Sequence, residues 1–168
     1  MSQISEPLNS IHNKATFSCG KEMLDNYLHK QANQDIKRKL AACFVIKESK
    51  SNDIKGYYTL SNSSIPLEFV PEKIQKKLPN SYKAIPTTLL GRLAIDSKFQ
   101  GEGIGRQLLI DALKRSYELS KTIGSFAVVV DPLDQEAENF YIKYGFIKLP
   151  DSGKMFLPMK TISQLFQY

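Results

Sequence analysis

Apolar side chains recur at helical spacing in three stretches of the chain, residues 22–40, 104–119 and 131–146. In the first stretch the recurring positions are Leu24, Tyr27, Leu28, Ala32, Ile36 and Leu40. In the second stretch they are Ile104, Leu108, Leu109, Ala112, Leu113 and Tyr117. This spacing predicts amphipathic helices that each bury one face against a core.

The third stretch also carries residues that favour helix ends. Asp131 or Asp134 could cap the N-terminus, and Pro132 suits a first turn. Gly145 fits the position that follows the last turn of the helix. The sequence therefore predicts a helix that ends just before Gly145.

Shorter apolar runs predict strands between the helices. ACFVIKE and IKGYYTLSN, with the turn-forming SKSND between them, predict a β-hairpin. TTLLGRLAID predicts a strand in which Gly91 marks a bulge or a close backbone approach. SFAVVV predicts a strand covered on both faces, and FIKL and KMFLPM predict two short strands near the end of the chain.

The order of these elements predicts the fold class. Residues 66–86 contain four prolines and leave room only for a short helix near PEKIQKKL. Elsewhere helices and strands interleave, without repeats or breaks in composition. We therefore expect an α/β (α+β) fold with a mixed central β-sheet flanked by helices, in a single domain over residues 1–168.

Composition narrows the class of protein. The 168 residues are 42% hydrophobic, which is enough for a core and excludes a disordered chain. No apolar run approaches the ~20 residues that cross a bilayer, and the N-terminus lacks the features of a secretory signal. Cys19 and Cys43 fit no zinc or CxxC spacing, so we expect buried thiols, no metal site and a cytoplasmic protein.

The formal net charge of +6 indicates the kind of partner. Basic residues cluster at Lys37, Arg38 and Lys39, at Lys73, Lys76 and Lys77, and around Arg92, Lys98 and Arg106. Such a field favours polyanions, either a nucleic acid or a phosphate-bearing cofactor. The alternative is a surface that is basic and merely solvated.

A glycine-rich stretch, QGEGIGR, lies between a predicted strand and a predicted helix. Glycines let backbone N–H groups converge on an anion, and a helix start adds unpaired donors and a positive dipole end. A dinucleotide fingerprint would need glycine where Arg106 stands, and a Walker loop would need Gly-Lys-Ser or Gly-Lys-Thr, so both are excluded. What remains is a Q-x-x-G-x-G pattern from Gln100 to Gly105.

This loop and a second pattern about 30 residues later resemble one known family. The second pattern, A-x-x-x-Y-x-x-x-G-F, is matched by Ala137, Tyr141, Gly145 and Phe146. The chain thus resembles the GCN5-related N-acetyltransferases (GNAT), whose fold has splayed strands at the acetyl-CoA site. The resemblance implies an acetyl-CoA-dependent N-acetyltransferase. Asp134 stands where many relatives carry asparagine, which puts a side-chain amide contact to coenzyme A from that position in doubt.

The GNAT resemblance also implies roles for individual residues. The loop would wrap the coenzyme diphosphate, and the strand before it would pair with the pantetheine arm. The implied coenzyme-binding residues are Leu93, Ala94, Ile95, Gln100, Gly101, Glu102, Gly103, Ile104, Gly105 and Arg106. Tyr141 would be the general acid, since its ordinary pKa near ~10 keeps it protonated at neutral pH. The alternative is that Tyr141 only packs beside Phe140 and Tyr144.

No general base stands out in the sequence. His12 and His29 favour surface or capping roles over catalytic ones. An α-amine titrates near ~7.7–8.0, and lower beside an ester, so an acceptor of this kind has less need of a dedicated base.

A longer resemblance covers roughly residues 17–160. FSCGKEMLDNYLHK, GYYTLS, LLGRLAIDSKFQGEGIGR and NFYIKYGF resemble, in that order, the acetyltransferase toxins of bacterial toxin–antitoxin pairs. The resemblance implies that the acceptor is the α-amine of aminoacyl-tRNA, that the chain forms a homodimer, and that a ribbon-helix-helix antitoxin covers the active site. Together with the charge, it suggests Arg92, Lys37 and Arg38 as tRNA contacts. A structural ion pair is the alternative for Arg92.

Two other functions stay open at this point. A GNAT enzyme with no toxin role could acetylate a small-molecule or protein amine, although the chain has no acidic cluster for a polycationic acceptor. A binding module that kept the fold without the activity is the least favoured, because Tyr141 and the glycine loop are intact.

Overall fold

The computed structural model of the chain describes residues 3–167. The strands are β1 (Glu6–Pro7), β2 (Ala42–Lys47), β3 (Ile54–Pro66), β4 (Ala84–Ile95), β5 (Ala127–Val130), β6 (Ile147–Lys148) and β7 (Met155–Pro158). The helices are α1 (Glu22–Asn26), α2 (Ala32–Lys37), α3 (Glu72–Gln75), α4 (Ile104–Ser120), α5 (Gln135–Lys143) and α6 (Met159–Gln164). A π-helical segment, Tyr27–Gln31, joins α1 to α2.

Across the described residues the strands form one seven-stranded sheet in the order β1-β2-β3-β4-β5-β7-β6. β4 and β5 pair in parallel, whereas β2 with β3 and β5 with β7 pair antiparallel. The sheet is therefore mixed, which confirms the predicted fold class and the predicted hairpin. The chain divides into two compact units, residues up to Ser61 with Leu90–Arg115, and Asn62–Leu89 with the residues from Ser116 onward. The single domain over residues 1–168 stays a prediction.

The first unit buries the apolar face of the helix predicted over residues 22–40. Tyr27, Leu28 and Ala32 are buried in its core, with Leu24 and Ile36 packed against them. The prediction for Leu40 was wrong, since this side chain is 62% exposed. The helix ends before it: Lys39 adopts a left-handed φ of 62°, and Leu40 N–H donates to Asp35 O at 2.8 Å. These are the contacts of a helix C-terminal turn, which direct Leu40 away from the core.

A buried polar network in the same unit ties the N-terminal segment to α4. Asp111, only 5% exposed, accepts hydrogen bonds from the Tyr58 hydroxyl at 2.7 Å, from Ile4 N–H at 2.8 Å and from the Ser5 hydroxyl. Arg115 Nε donates to the Tyr58 hydroxyl at 3.0 Å. Because a buried carboxylate without partners is costly, this network fixes α4 against its neighbours. The sequence patterns did not predict it.

The second unit contains the strand predicted to be covered on both faces, and every residue of β5 is buried. Asp134 caps α5 by accepting from Ala137 N–H at 2.8 Å, so of the two candidate caps it is the one used. Pro132 precedes this cap, and its predicted position in the first turn was therefore wrong. Gly145 follows the last turn, as predicted, with its N–H bonded to Ile142 O at 3.0 Å.

A buried hydroxyl on β4 gives a prediction about stability. Thr87 Oγ1 is buried without a hydrogen-bond partner among the described residues, whereas its neighbour Thr88 bonds Ser125 Oγ at 2.9 Å. A valine at either position keeps the shape and removes the hydroxyl. We expect Thr87→Val to raise the free energy of unfolding by about 1 kcal/mol, because an unpaired buried hydroxyl is lost.

The matched control is Thr88→Val, which removes a hydroxyl that is already paired. We expect this variant to lower the free energy of unfolding by about 1 kcal/mol. Urea unfolding measures the free energy of unfolding of both variants, provided that the dependence of that free energy on urea concentration is the same as in wild type. If Thr87→Val instead lowers the free energy of unfolding as Thr88→Val does, the Thr87 hydroxyl is satisfied in solution.

Candidate active site

The bend between β4 and α4 presents backbone N–H groups. Gly101 and Gly103 adopt left-handed φ angles of 85° and 77°, which favour glycine. Apart from the adjoining residues, no atom lies within 4 Å of the point where a Cβ would stand on either of them. The first backbone bond of α4 runs from Gln107 N–H to Gly103 O at 3.2 Å, so the N–H groups just before Gln107 have no helical acceptor. An open, exposed bend of this kind suits an anion.

The predicted loop residues divide by exposure. Gly101, Glu102, Gly103 and Arg106 are exposed, and Gly105 is half-buried. Ile104 is only 5% exposed and anchors the first turn of α4 in the core. We infer that Ile104 contributes its main chain, and not its side chain, to any ligand at this bend.

A short N-terminal segment holds the base of the bend. Gln100 Nε2 donates to Cys19 O at 3.1 Å and to Ile95 O at 3.0 Å. Ser97 N–H donates to Ser18 O at 2.8 Å. The side-chain amide nitrogen of Gln100 is thus engaged by the protein's own main chain. Its predicted contact with the coenzyme stays a prediction.

Asp96 also holds the bend to the N-terminal segment, and the sequence patterns did not predict this contact. The contacts of Gln100 and Asp96 with Ser18 and Cys19 are called the clamp below. Asp96 is 3% exposed, and its carboxylate accepts from Ser18 N–H at 3.1 Å and from Lys98 N–H at 2.9 Å. An aspartate just before a turn is a capping signal that could have identified it. The partner Ser18 lies 78 residues earlier in the chain, and no local pattern points to such a contact.

The strand that leads into the bend supplies the other predicted coenzyme contacts. Ala94 is buried, and Leu93 and Ile95 are half-buried near the end of β4. Their pairing with a pantetheine arm, and the splaying of the strands, stay predictions.

Tyr141 lies on α5 in the second unit and is 7% exposed. Its ring meets Phe140 and Phe146 edge-to-face, with centroids 5.3 and 5.2 Å apart. Burial raises the pKa of the Tyr141 phenol above its ordinary value. The ring therefore packs on Phe140, as the alternative predicted, and on Phe146, which the alternative did not name. Burial also holds the hydroxyl in the protonated form that a general acid requires. Its catalytic role stays a prediction.

Arg92 stacks on an aromatic ring in the first unit. Its guanidinium carbon lies 3.5 Å from the centroid of Tyr27, and the Tyr27 hydroxyl donates to Asp35 Oδ2 at 2.8 Å. Within residues 3–167 the guanidinium forms no ion pair, so the ion-pair alternative finds no support there. Lys37 and Arg38 are exposed at the end of α2, directly after the turn that carries Asp35.

The two histidines have structural roles in the first unit. His12 is buried, so a surface position was wrong, and its Nδ1 accepts from Asn9 N–H at 3.0 Å in a stretch without a helix. His29 Nε2 lies 2.9 Å from Phe17 O. Both side chains are thus engaged by the N-terminal segment, which leaves the general base unassigned.

Neither the cysteines nor the carboxylates form a metal site among the described residues. Cys19 and Cys43 are buried free thiols, as predicted. Burial raises the pKa of Cys19 to about 11 and that of Cys43 to about 12. Among the described residues no group of three or more histidine, cysteine, aspartate or glutamate side chains is arranged to hold a metal ion. The same residues include no helix with the length and hydropathy of a membrane span.

Comparison with known proteins identifies the family. Residues 40–148 match the family described as the acetyltransferase (GNAT) domain. The chain belongs to the GNAT acetyltransferase family. The predicted family, fold and enzyme class are thereby confirmed.

This GNAT chain is similar over nearly its whole length to toxins. The tRNA-acetylating toxin of Mycobacterium tuberculosis (strain ATCC 25618 / H37Rv) is 33% identical over 98% of both chains. The structure of AtaT complexed with acetyl-methionyl-tRNAfMet is 32% identical, with a TM-score of 0.89 over 97% of this chain and 98% of that one. A tyrosine-to-phenylalanine variant of AtaT, bound to the C-terminus of the antitoxin AtaR and acetyl-CoA, is 28% identical over 98% of both chains, with a TM-score of 0.82.

The GNAT match and the longer similarity cover different lengths of the chain. The match over residues 40–148 contains the glycine bend, Arg92 and Tyr141. It begins after Ser18 and Cys19, whose main chains hold the bend, and after Tyr27, on which Arg92 stacks. The whole-length relatives also cover this N-terminal segment. The predicted resemblance to acetyltransferase toxins is confirmed by these relatives.

Proposed function

We propose that this GNAT enzyme transfers the acetyl group of acetyl-CoA to the α-amine of aminoacyl-tRNA and thereby acts as a toxin that blocks translation. The observation that carries the proposal is the 33% identity, over 98% of both chains, to a tRNA-acetylating toxin. The similarity to AtaT in complex with acetyl-methionyl-tRNAfMet also covers nearly the whole of both chains. Since both cover the N-terminal segment as well as the coenzyme bend, they support an acceptor of the same class.

In this proposal the glycine bend receives the diphosphate of acetyl-CoA. The open space beside Gly101 and Gly103 lets phosphate oxygens reach the backbone N–H groups without meeting a Cβ. The clamp of Gln100 and Asp96 on Ser18 and Cys19 keeps these donors in place before the ligand arrives. Donors that are already oriented cost less to order on binding.

The transfer needs a neutral amine and a protonated leaving group. The amine nitrogen attacks the thioester carbonyl, a C–N bond forms, and the C–S bond breaks as the oxyanion collapses. Tyr141 donates its proton to the departing thiolate, and the proton that the nitrogen loses passes to solvent, from which Tyr141 is reprotonated. An α-amine with a pKa near ~7.7–8.0 is partly neutral without a base.

The basic surface is the proposed contact for tRNA, whose acceptor stem is recognised mainly through backbone and shape. If Arg92, Lys37 and Arg38 each neutralise one phosphate, kcat/KM should fall roughly 10- to 100-fold between about 50 and about 200 mM salt. Steady-state kinetics with purified aminoacyl-tRNA measure this. A flat salt dependence would contradict phosphate contacts.

The deciding experiment is incubation of the protein with total charged tRNA and labelled acetyl-CoA. We expect the label on the α-amine of an aminoacyl-tRNA, identified by nuclease digestion and mass spectrometry. Free amino acids, polyamines and lysine-rich peptides are offered in parallel. Label on one of these and none on tRNA would replace the proposal by that of a GNAT enzyme for a small-molecule or protein amine.

The proposal extends to partners and location. We propose that the chain acts as a homodimer in the cytoplasm, where charged tRNA is found. We also propose a ribbon-helix-helix antitoxin as its inhibitor, supported by the AtaT structure that contains the C-terminus of an antitoxin. Co-expression with the product of a neighbouring gene should relieve growth arrest caused by the chain.

A further inference from the structure

Arg92 is held in an arrangement that nothing in its local sequence reveals. It lies on β4 between the buried residues Leu90 and Ala94. Its side chain is on the face of the sheet against which Tyr27 packs. The guanidinium lies 3.5 Å from the centre of the Tyr27 ring, a distance typical of face-to-face stacking. Arg92 as a whole is half-buried, and the Tyr27 ring covers one face of its guanidinium.

Tyr27 is itself held in place by two neighbours, Asp35 and Tyr57. It is 4% exposed, its hydroxyl donates to the buried carboxylate of Asp35, and its ring stacks on Tyr57 with centroids 6.3 Å apart. It begins the π-helical segment Tyr27–Gln31, which interrupts the regular helix at this point. π-helical turns inside helices are frequent at functional sites. The ring is therefore a rigid surface and not a mobile surface tyrosine.

We propose that Tyr27 is a positioning residue that holds the Arg92 guanidinium in one plane, so that its outward N–H groups are oriented to bind a phosphate of the tRNA substrate. The inference rests on the proposed function and adds a residue outside the GNAT match to the substrate site. A stacked guanidinium loses less rotamer freedom on binding than a free one, and its planar fork suits phosphate oxygens. Within residues 3–167 the guanidinium has no carboxylate partner that a phosphate would have to displace.

The test compares Tyr27→Leu with Tyr27→Phe. Both variants lose the hydroxyl that bonds Asp35, and only Tyr27→Leu also loses the ring. We expect both to be less stable, but only Tyr27→Leu to raise the KM for aminoacyl-tRNA, by roughly 3- to 30-fold. The kcat and the KM for acetyl-CoA should stay near those of Tyr27→Phe. Tyr117→Leu, which removes the ring under Lys121 in the other unit, is the control for loss of a cation–π contact elsewhere.

A double-mutant cycle with Arg92→Ala decides whether Tyr27 acts through Arg92. If it does, Tyr27→Leu has little further effect on the tRNA KM when Arg92 is already alanine. An equal effect in both backgrounds would overturn the inference. Arg92→Lys keeps the charge without the planar cation and should raise the tRNA KM nearly as much as Arg92→Ala. A wild-type KM in Arg92→Lys would also overturn the inference, and this variant serves if Tyr27→Leu does not fold.

The proposed function and the inference fail in different ways. A wild-type enzyme that acetylates no aminoacyl-tRNA would refute the proposed function. In that case the same variants are compared by their affinity for uncharged tRNA, measured by filter binding. Wild-type protein that neither acetylates nor binds tRNA would overturn both, whereas an active enzyme with additive Tyr27 and Arg92 effects would overturn the inference alone.

Discussion

Replacing Tyr141 by phenylalanine is expected to lower kcat at least ~10-fold and to leave the affinity for acetyl-CoA unchanged. The substitution keeps the ring that packs against Phe140 and Phe146 and removes only the hydroxyl that would protonate the thiolate. Turnover with aminoacyl-tRNA measures the first effect. Equilibrium binding of acetyl-CoA to the same preparation measures the second.

The matched control for this variant is Tyr144→Phe. Tyr144 follows the same helix and is half-buried, and its ring packs on Phe140 at 5.0 Å. Tyr144→Phe alters a ring that contacts the same aromatic neighbour, Phe140, and also removes a hydroxyl. Since only Tyr141 is proposed to protonate the thiolate, we expect wild-type turnover from Tyr144→Phe. Equal losses in the two variants would mean that the aromatic cluster, and not the Tyr141 phenol, limits turnover.

The raised pKa of Tyr141 gives an independent readout of its burial. The native state holds this proton more tightly than the unfolded chain, whose phenol titrates near ~10. The stabilisation is therefore fully present below about pH 10 and is lost as the pH rises through the native pKa. Wild type should lose stability faster than Tyr141→Phe above about pH 10. The phenol should also contribute no alkaline decline in kcat between about pH 6 and about pH 9.

Long periodic elements could be predicted from the sequence because their evidence is local. The apolar spacing of α4 is contained within a few helical turns, and the continuous apolar run of β5 within a few consecutive residues. β1 has only two residues and α6 only six, too few to leave a periodic pattern. The prediction for Leu40 was wrong because its spacing continues a helix that the left-handed Lys39 has already ended.

In the candidate site too, features with a local sequence signal could be predicted, and contacts between distant segments could not. The glycines of the bend could be recognised because glycine spacing directly reports a need for unusual backbone angles. The contact of Asp96 with Ser18 and the stack of Arg92 on Tyr27 each join segments that are far apart in the chain. Such contacts exist only after the sheet has formed, so no pattern within one segment could reveal them.

Gly103→Ala is expected to weaken acetyl-CoA binding roughly 10- to 100-fold. A Cβ at this position would occupy the open space through which a phosphate reaches the backbone donors, and a hydrogen bond to a charged group contributes about 1.5–3 kcal/mol. The same substitution also forces alanine to adopt a φ of 77°, which costs about 1–2 kcal/mol of stability. Isothermal titration with acetyl-CoA and urea unfolding separate the two effects.

Gly153→Ala supplies the control that isolates the ligand effect from the strain. Gly153 lies in the second unit with a φ of 72° and, like Gly103, has no atom outside the adjoining residues within 4 Å of the point where its Cβ would stand. Both variants should therefore lose similar stability, and only Gly103→Ala should lose coenzyme affinity. If both bind acetyl-CoA like wild type, the donors of the bend do not contact the diphosphate. If both variants lose affinity for acetyl-CoA equally, the loss of affinity follows from the loss of stability, because backbone strain is what the two substitutions have in common.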